Sequence, residues 1–241
     1  TSLPYIKMTL GLLTRLGIRA EMQDQTLRVY PTAEIPDQTC VVESDWSSAS
    51  YYFSVLALSE PGSKLRLSAY REDSLQGDRV LCELFKPLGV RSEFEGDTLV
   101  LSRIQQELPP YLDLDLVQAP DLAQTLAVCC FGLGISCDLK GLHTLKIKET
   151  DRLEALRAEL SKLGAQIRVT NHSLHLGKSA GCHEGVSIET YNDHRMAMAF
   201  APLALRSSLM INDAGVVSKS YPGFWEDLQR IGFKAEEARS Y

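Results

Sequence analysis

One element recurs four times along this chain. It is a helix-periodic segment ending in Leu-Gly or Ile-Gly, followed by two short β-type runs around a turn. The copies are "LGLLTRLGIRAEMQDQTLRVY", "LCELFKPLGVRSEFEGDTLVL", "LRAELSKLGAQIRVTNHSLHL" and the shorter "FWEDLQRIGFKAEE". Their marker glycines, Gly17, Gly89, Gly164 and Gly232, lie roughly 70 residues apart, and self-similarity at a near-constant spacing marks an internal repeat. Glycine just past a helix enters the left-handed conformation without a Cβ penalty.

A second helix is predicted within each period, in "DWSSASYYFSVLALSE", "PDLAQTLAVCCFGLG" and "NDHRMAMAFAPLAL". Each begins beside an acid able to cap it, Asp45, Asp121 or Asp193. Each is apolar on nearly all sides, as a helix enclosed by other elements must be. The β-rich runs "SKLRLSAY", "ISCDLKGL" and "SSLMINDA" come after them. The predicted unit is therefore helix, strand, helix, strand, turn, strand. Three units fit between Asp45 and Glu237, and Thr1 to Val42 supplies only the second half of another. The phase of the repeat predicts that the chain is truncated at its amino end, or begins inside another domain.

With 241 residues and 44% apolar content, the chain can bury one large core or two moderate ones. The net charge of -6 and the lack of any basic block argue against a nucleic-acid or membrane-surface partner. No apolar run approaches the roughly 18 residues of a membrane span. The six cysteines form no CxxC pair and are expected to be buried free thiols in a reducing cytoplasm. The histidines show no zinc spacing.

Charge collects at the helix entrances. "KIKETDR" (146–152) places three bases and two acids in seven positions, and "YNDHRMAM" (191–198) adds Arg195. Acids suit a helix start: Thr150 or Asp151 can cap, and Glu154 completes a capping box. The bases Lys146, Lys148, Arg152 and Arg195 oppose the helix dipole there. Two explanations are open, a solvated charged face or an external anion held at the helix mouth, and for Lys148 and Arg152 the anion is favoured. An acid in such a place has its pKa lowered by the bases and raised again by a bound anion, so Glu149 could hold and deliver a proton. Asp121 and Asp193 serve equally well as plain caps.

"KIKETDR" together with "YNDHRMAM" resembles the 5-enolpyruvylshikimate-3-phosphate synthase (3-phosphoshikimate 1-carboxyvinyltransferase) family. "SLPYIKMTL", "DWSSASYYF", "QGD" (76–78), "PDLAQTLAV" and "SKSYPGFWEDL" match that family in order. The resemblance covers essentially the whole chain but only the carboxyl-terminal part of the family's protein. It implies an α/β fold, the enolpyruvyl transferase-like inside-out α/β barrel, with pseudo-threefold repeats of buried helices and outer sheets. Residues 1–44 would be the tail of the amino-terminal domain, and 45–241 a carboxyl-terminal domain of three repeats.

The resemblance also implies a reaction. The enolpyruvyl group of phosphoenolpyruvate passes to the 5-hydroxyl of shikimate 3-phosphate by addition and elimination, releasing phosphate, as a step of aromatic amino-acid biosynthesis. Arg152, Arg195 and Lys219 would hold phosphoenolpyruvate. Ser2, Tyr5, Asp121, Thr144 and Lys148 would hold shikimate 3-phosphate; Thr144 stands where the family often has Asn. Asp121 would accept the proton of the attacking hydroxyl, and Glu149 would protonate the methylene carbon. No metal or organic cofactor is implied. The expected partners are the two small substrates and the amino-terminal domain, in an enzyme that is cytoplasmic and monomeric at full length. The substrate contacts of the other domain lie outside this chain, which is expected to be inactive alone. The alternatives are UDP-N-acetylglucosamine enolpyruvyl transferase, which shares fold and donor, and a non-catalytic domain that kept the fold.

Overall fold

The first helix, α1 (Leu3–Arg15), is amphipathic, yet none of its residues is buried. It leads into the antiparallel hairpin of β1 (Ala20–Gln23) and β2 (Thr26–Val29). The computed structural model describes residues 3–179 and 181–237. Its hydrophobic core begins only at Trp46 and runs to Leu228.

From there the elements are α2 (Trp46–Leu58), β3 (Lys64–Ser68), α3 (Leu81–Leu84), β4 (Val90–Glu95) and β5 (Thr98–Arg103). Then come β6 (Tyr111–Asp115), α4 (Ala123–Leu133), β7 (Ser136–Lys140), α5 (Arg152–Lys162), β8 (Ile167–Val169) and β9 (Leu174–Leu176). The last are β10 (Val186–Ile188), α6 (His194–Phe200), β11 (Leu209–Ile211) and α7 (Phe224–Arg230). The middle stretch shows the unit whole. β6 pairs parallel with β7, and β7, β9 and β8 pair antiparallel, giving the order β6-β7-β9-β8. The sheet β3-β5-β4 repeats the last three strands of that unit, and the parallel pair β10-β11 repeats the first two.

The predicted unit thus needs one correction, a strand before its first helix. β10, "VSI", is too short to show a period, whereas β6 opens the alternating run Leu112-Asp113-Leu114-Asp115-Leu116, a strand signal that the repeat pattern passes over. The second helix of the first unit is also shorter than its periodicity suggests. Pro87 has no N–H to continue it, and a 3₁₀ turn over Lys86–Leu88 replaces the last turns. The four marker glycines all adopt positive φ, between 78 and 104°.

The three enclosed helices pack on one another as expected. Every residue of α2 except Ser48 is buried, as are Ala123–Phe131 of α4 and Met196–Phe200 of α6. Near their starts, the Ser50 and Thr125 hydroxyls meet at 3.0 Å. Near their ends, Gly132 faces Leu58 and Leu203 so closely that an added Cβ would lie 2.8 and 2.7 Å from their methyls. The helices therefore run side by side with their amino ends together. The cysteines need a second correction: Cys129, Cys130 and Cys137 are buried, but Cys82 and Cys182 are half-buried and Cys40 is exposed.

Candidate active site

The helix starts gather the candidate residues. Asp45 caps α2, accepting from the N–H groups of Ser47 and Ser48. Asp193 caps α6 through the Arg195 N–H at 2.9 Å, and Asp151 caps α5 through the Glu154 N–H at 3.2 Å. Asp121, left open by the sequence between cap and functional acid, breaks this pattern. It sits in the 3₁₀ turn Pro120–Leu122 with no capping hydrogen bond, and its carboxylate faces three cations instead.

Arg152 is the hub of that cluster. It is only 1% exposed, and its guanidinium reaches carboxylates from three different segments. Nε donates to Asp193 at 2.6 Å, one Nη to Asp121 at 2.8 Å, and the other to Glu149 at 2.6 Å. Lys148 lies 3.3 Å from Asp121 and Arg195 lies 3.5 Å from it. The counter-charge for bases at a helix mouth is therefore internal here, and an incoming anion must compete with carboxylates already in place. Lys146 stands apart, donating to Asn171 at 2.8 Å and pairing loosely with Asp151 at 3.6 Å.

Lys219 joins from the segment before α7. Its ammonium donates to both the backbone and side-chain oxygens of Asn192, each at 2.8 Å, one residue before Asp193. Tyr5, on α1, lines a cavity of about 600 Å³ together with Asp45, Ser47, Asp78 and Asp121. The Thr144 hydroxyl is buried without a protein partner among the described residues, in the 3₁₀ turn that leads to Lys148. Ser2 lies outside the described residues.

Charge coupling sets the acids. Burial works to raise the Asp121 carboxyl, but Arg195, Lys148 and Arg152 outweigh it and hold its pKa below the ordinary value. Partial burial likewise opposes ionisation of Glu149. A backbone hydrogen bond and the charges of Arg152, His194 and Arg195 win, and its pKa is also lowered. Both are carboxylates at neutral pH. Arg195 loses stabilisation by burial yet is pushed up overall by Tyr51, Asp121, Asp78 and Tyr5. The arrangement offers a proton acceptor, a second carboxylate and three cations within one cluster, a set able to hold an anion and move protons beside it.

Residues 1–228 match the family model described as EPSP synthase (3-phosphoshikimate 1-carboxyvinyltransferase). The chain belongs to the EPSP synthase family. A 3-phosphoshikimate 1-carboxyvinyltransferase of Bacteroides fragilis (strain ATCC 25285) is 42% identical over 239 residues, covering 96% of this chain and 57% of the relative. That of Methanospirillum hungatei JF-1 is 33% identical, covering 95% and 54%. The solved EPSP synthase of Acinetobacter baumannii superposes with a TM-score of 0.74 at 20% identity, over 95% of this chain and 54% of the other. The enolpyruvyl transferase NikO of Streptomyces tendae gives 0.66 at 16%, over 95% and 53%. The fold is thus the α/β enolpyruvyl transferase architecture, and the chain spans about half the length of the relatives it matches.

Ser47 and Asp78, not among the residues expected from the sequence, adjoin this cluster in the EPSP synthase-family chain. The Ser47 hydroxyl donates to Asp78 at 2.5 Å, and Arg195 reaches Ser47 at 3.4 Å. "DWSSAS" and "QGD" both stand out as motifs, but nothing local says that residues 31 apart share a hydrogen bond. Burial raises the Asp78 carboxyl despite that bond.

Proposed function

We propose that this chain forms one wall of an enolpyruvyl transferase active site. The reaction moves the enolpyruvyl group of phosphoenolpyruvate to the 5-hydroxyl of shikimate 3-phosphate and expels phosphate. The supporting observation is the convergence of Lys148, Arg152 and Arg195 on Asp121 and Glu149 in a chain of this family. Two anionic substrates repel each other, and several fixed cations offset that repulsion while orienting both. In this scheme Arg152, Arg195 and Lys219 take phosphoenolpyruvate. Lys148, Thr144, Tyr5, Ser2 and Asp121 take shikimate 3-phosphate.

Asp121, ionised and close to the Lys148 ammonium, accepts the proton of the attacking 5-hydroxyl. Glu149 must first gain a proton to give one to the methylene carbon. The phosphoenolpyruvate charge supplies the cause, because an anion bound beside a carboxylate raises its pKa. Arg152 reaches the donor anion only by loosening one of its three carboxylates, and Glu149, the most exposed of them, is the one free to leave. Residues 1–44 belong to the amino-terminal domain and 45–241 to the other, in keeping with a core that starts at Trp46. The amino-terminal domain supplies the facing wall, and the full-length enzyme is a cytoplasmic monomer. No helix among the described residues is long and apolar enough to cross a membrane.

Phosphate release is the deciding assay. The chain alone, given both substrates, is expected to release none, and measurable release would refute the half-site assignment. Supplemented with the portion of the Bacteroides fragilis relative that it does not match, the chain is expected to release phosphate, and Asp121→Asn to abolish it. Turnover with UDP-N-acetylglucosamine in place of shikimate 3-phosphate would point to the sister transferase. Failure to bind either anion would point to a non-catalytic domain.

A further inference from the structure

Glu159 is the one carboxylate of α5 that is fully buried, at 0% exposure. A buried carboxylate is unfavourable unless its oxygens are taken up by donors. The Glu189 N–H donates to one oxygen at 2.9 Å and the Tyr191 hydroxyl to the other at 2.7 Å. Lys162, one turn along α5, pairs with Glu159 and also donates to the Ser187 carbonyl at 2.9 Å. Apart from that lysine, the partners of Glu159 among the described residues all lie on the segment just before α6.

That segment carries an unusual backbone. Tyr191 and Asn192 are consecutive non-glycine residues in the left-handed region, at φ 53 and 58°. Asparagine tolerates this conformation, but a bulky aromatic residue does not adopt it unaided. Such a turn persists only where its surroundings over-determine it, and the tyrosine is anchored here through its own hydroxyl. The turn opens directly onto the candidate site: Asn192 receives Lys219, Asp193 holds Arg152, and Arg195 faces Asp121.

We propose that Glu159 is a positioning residue, clamping the Glu189–Asn192 turn so that Asp193, Arg195 and Lys219 converge. Arg152 and Glu159 are seven residues apart on one face of α5, about 10 Å along its axis. The helix thus grips the segment twice, by Arg152 at Asp193 and by Glu159 at Glu189 and Tyr191. A hydrogen bond from the Asn212 side chain to Glu189, at 2.5 Å, braces the same segment from beyond β11.

The test uses Tyr191→Phe and Glu159→Gln in the 241-residue chain. Tyr191→Phe removes one hydroxyl from a residue that is 40% exposed and leaves no cavity. Backbone amides from 189 to 195 are expected to exchange at least 10-fold faster in both variants, while those of α4 stay unchanged. The binding arm rests on the substrate assignment proposed above. Phosphoenolpyruvate is expected to bind at least 10-fold more weakly, with shikimate 3-phosphate affinity held within twofold. Unchanged exchange at 189–195, acceleration spread equally over α4, or equal loss of both ligands would each overturn the clamp. If the unsubstituted chain binds no phosphoenolpyruvate even when supplemented with the facing portion of the Bacteroides fragilis relative, the proposed function fails, and the exchange comparison still decides the clamp.

Discussion

Replacing Arg152 with methionine keeps the volume of its stem but deletes the guanidinium. Three carboxylates lose a partner, and they do not suffer equally. Asp121 keeps Lys148 and Arg195. The Glu149 side chain is 39% exposed and can rehydrate. Asp193 is 0% exposed and keeps little beyond its capping bond from the Arg195 N–H. The cost therefore falls mainly on Asp193, and removing one partner of a buried pair costs about 3–5 kcal/mol. For a chain of this size each kcal/mol shifts Tm by about 2–4 °C, so a fall of roughly 6–20 °C is expected. Urea unfolding followed by Trp46 and Trp225 fluorescence reads the free energy. A double-mutant cycle assigns it: Arg152→Met with Asp193→Asn should couple by about 2–3 kcal/mol. Arg152→Met with Glu149→Gln should couple by less than about 1 kcal/mol, because Glu149, 39% exposed, is partly hydrated already. Equal couplings, or an Arg152→Met variant within about 1 kcal/mol of the original, would refute the hub.

The same geometry sets three further outcomes. Asp121 has a lowered pKa in the fold, so its stabilisation is full above the unfolded value of about 3.9 and is lost as pH falls through the folded value. Asp121→Asn should therefore lose less stability than the original chain between pH 5 and 2, and parallel urea midpoints over that range would contradict it. Gly141→Ala combines positive φ with a Cβ placed 2.5 Å from the Val117 backbone nitrogen, so a loss of about 2–4 kcal/mol is expected on thermal unfolding. Phosphoenolpyruvate binding at pH 7 should take up protons as Glu149 is protonated, measured by calorimetry in buffers of different ionisation enthalpy. Glu149→Gln should abolish that uptake, and an unaltered value would remove Glu149 from the role of donor.

Much of the architecture is legible in local pattern. Helix ends announce themselves through glycine, and the enclosed helices through apolarity on every face. Asp45, Asp151 and Asp193 are found as caps because capping is a contact between near neighbours. β10 is not legible, being three residues long with its parallel partner beyond an intervening helix, whereas β6 shows a strand alternation and only its pairing with β7 is hidden. Asp121 stays open between cap and functional acid for the same reason: its sequence neighbours suit a cap, and its cations come from elsewhere.

The sequence alone determines the repeat, its phase, and the gathering of bases at two helix mouths, since each is written in the spacing of adjacent residues. The neutralisation of those bases is decided by tertiary structure. Arg152 meets Asp121 and Asp193 across 31 and 41 residues of chain, a contact with no periodicity. It exists because the core packs α4 and α6 side by side with their starts together and sets α5 against α4, which brings Asp121 and Asp193 to the buried Arg152, where water screens them little.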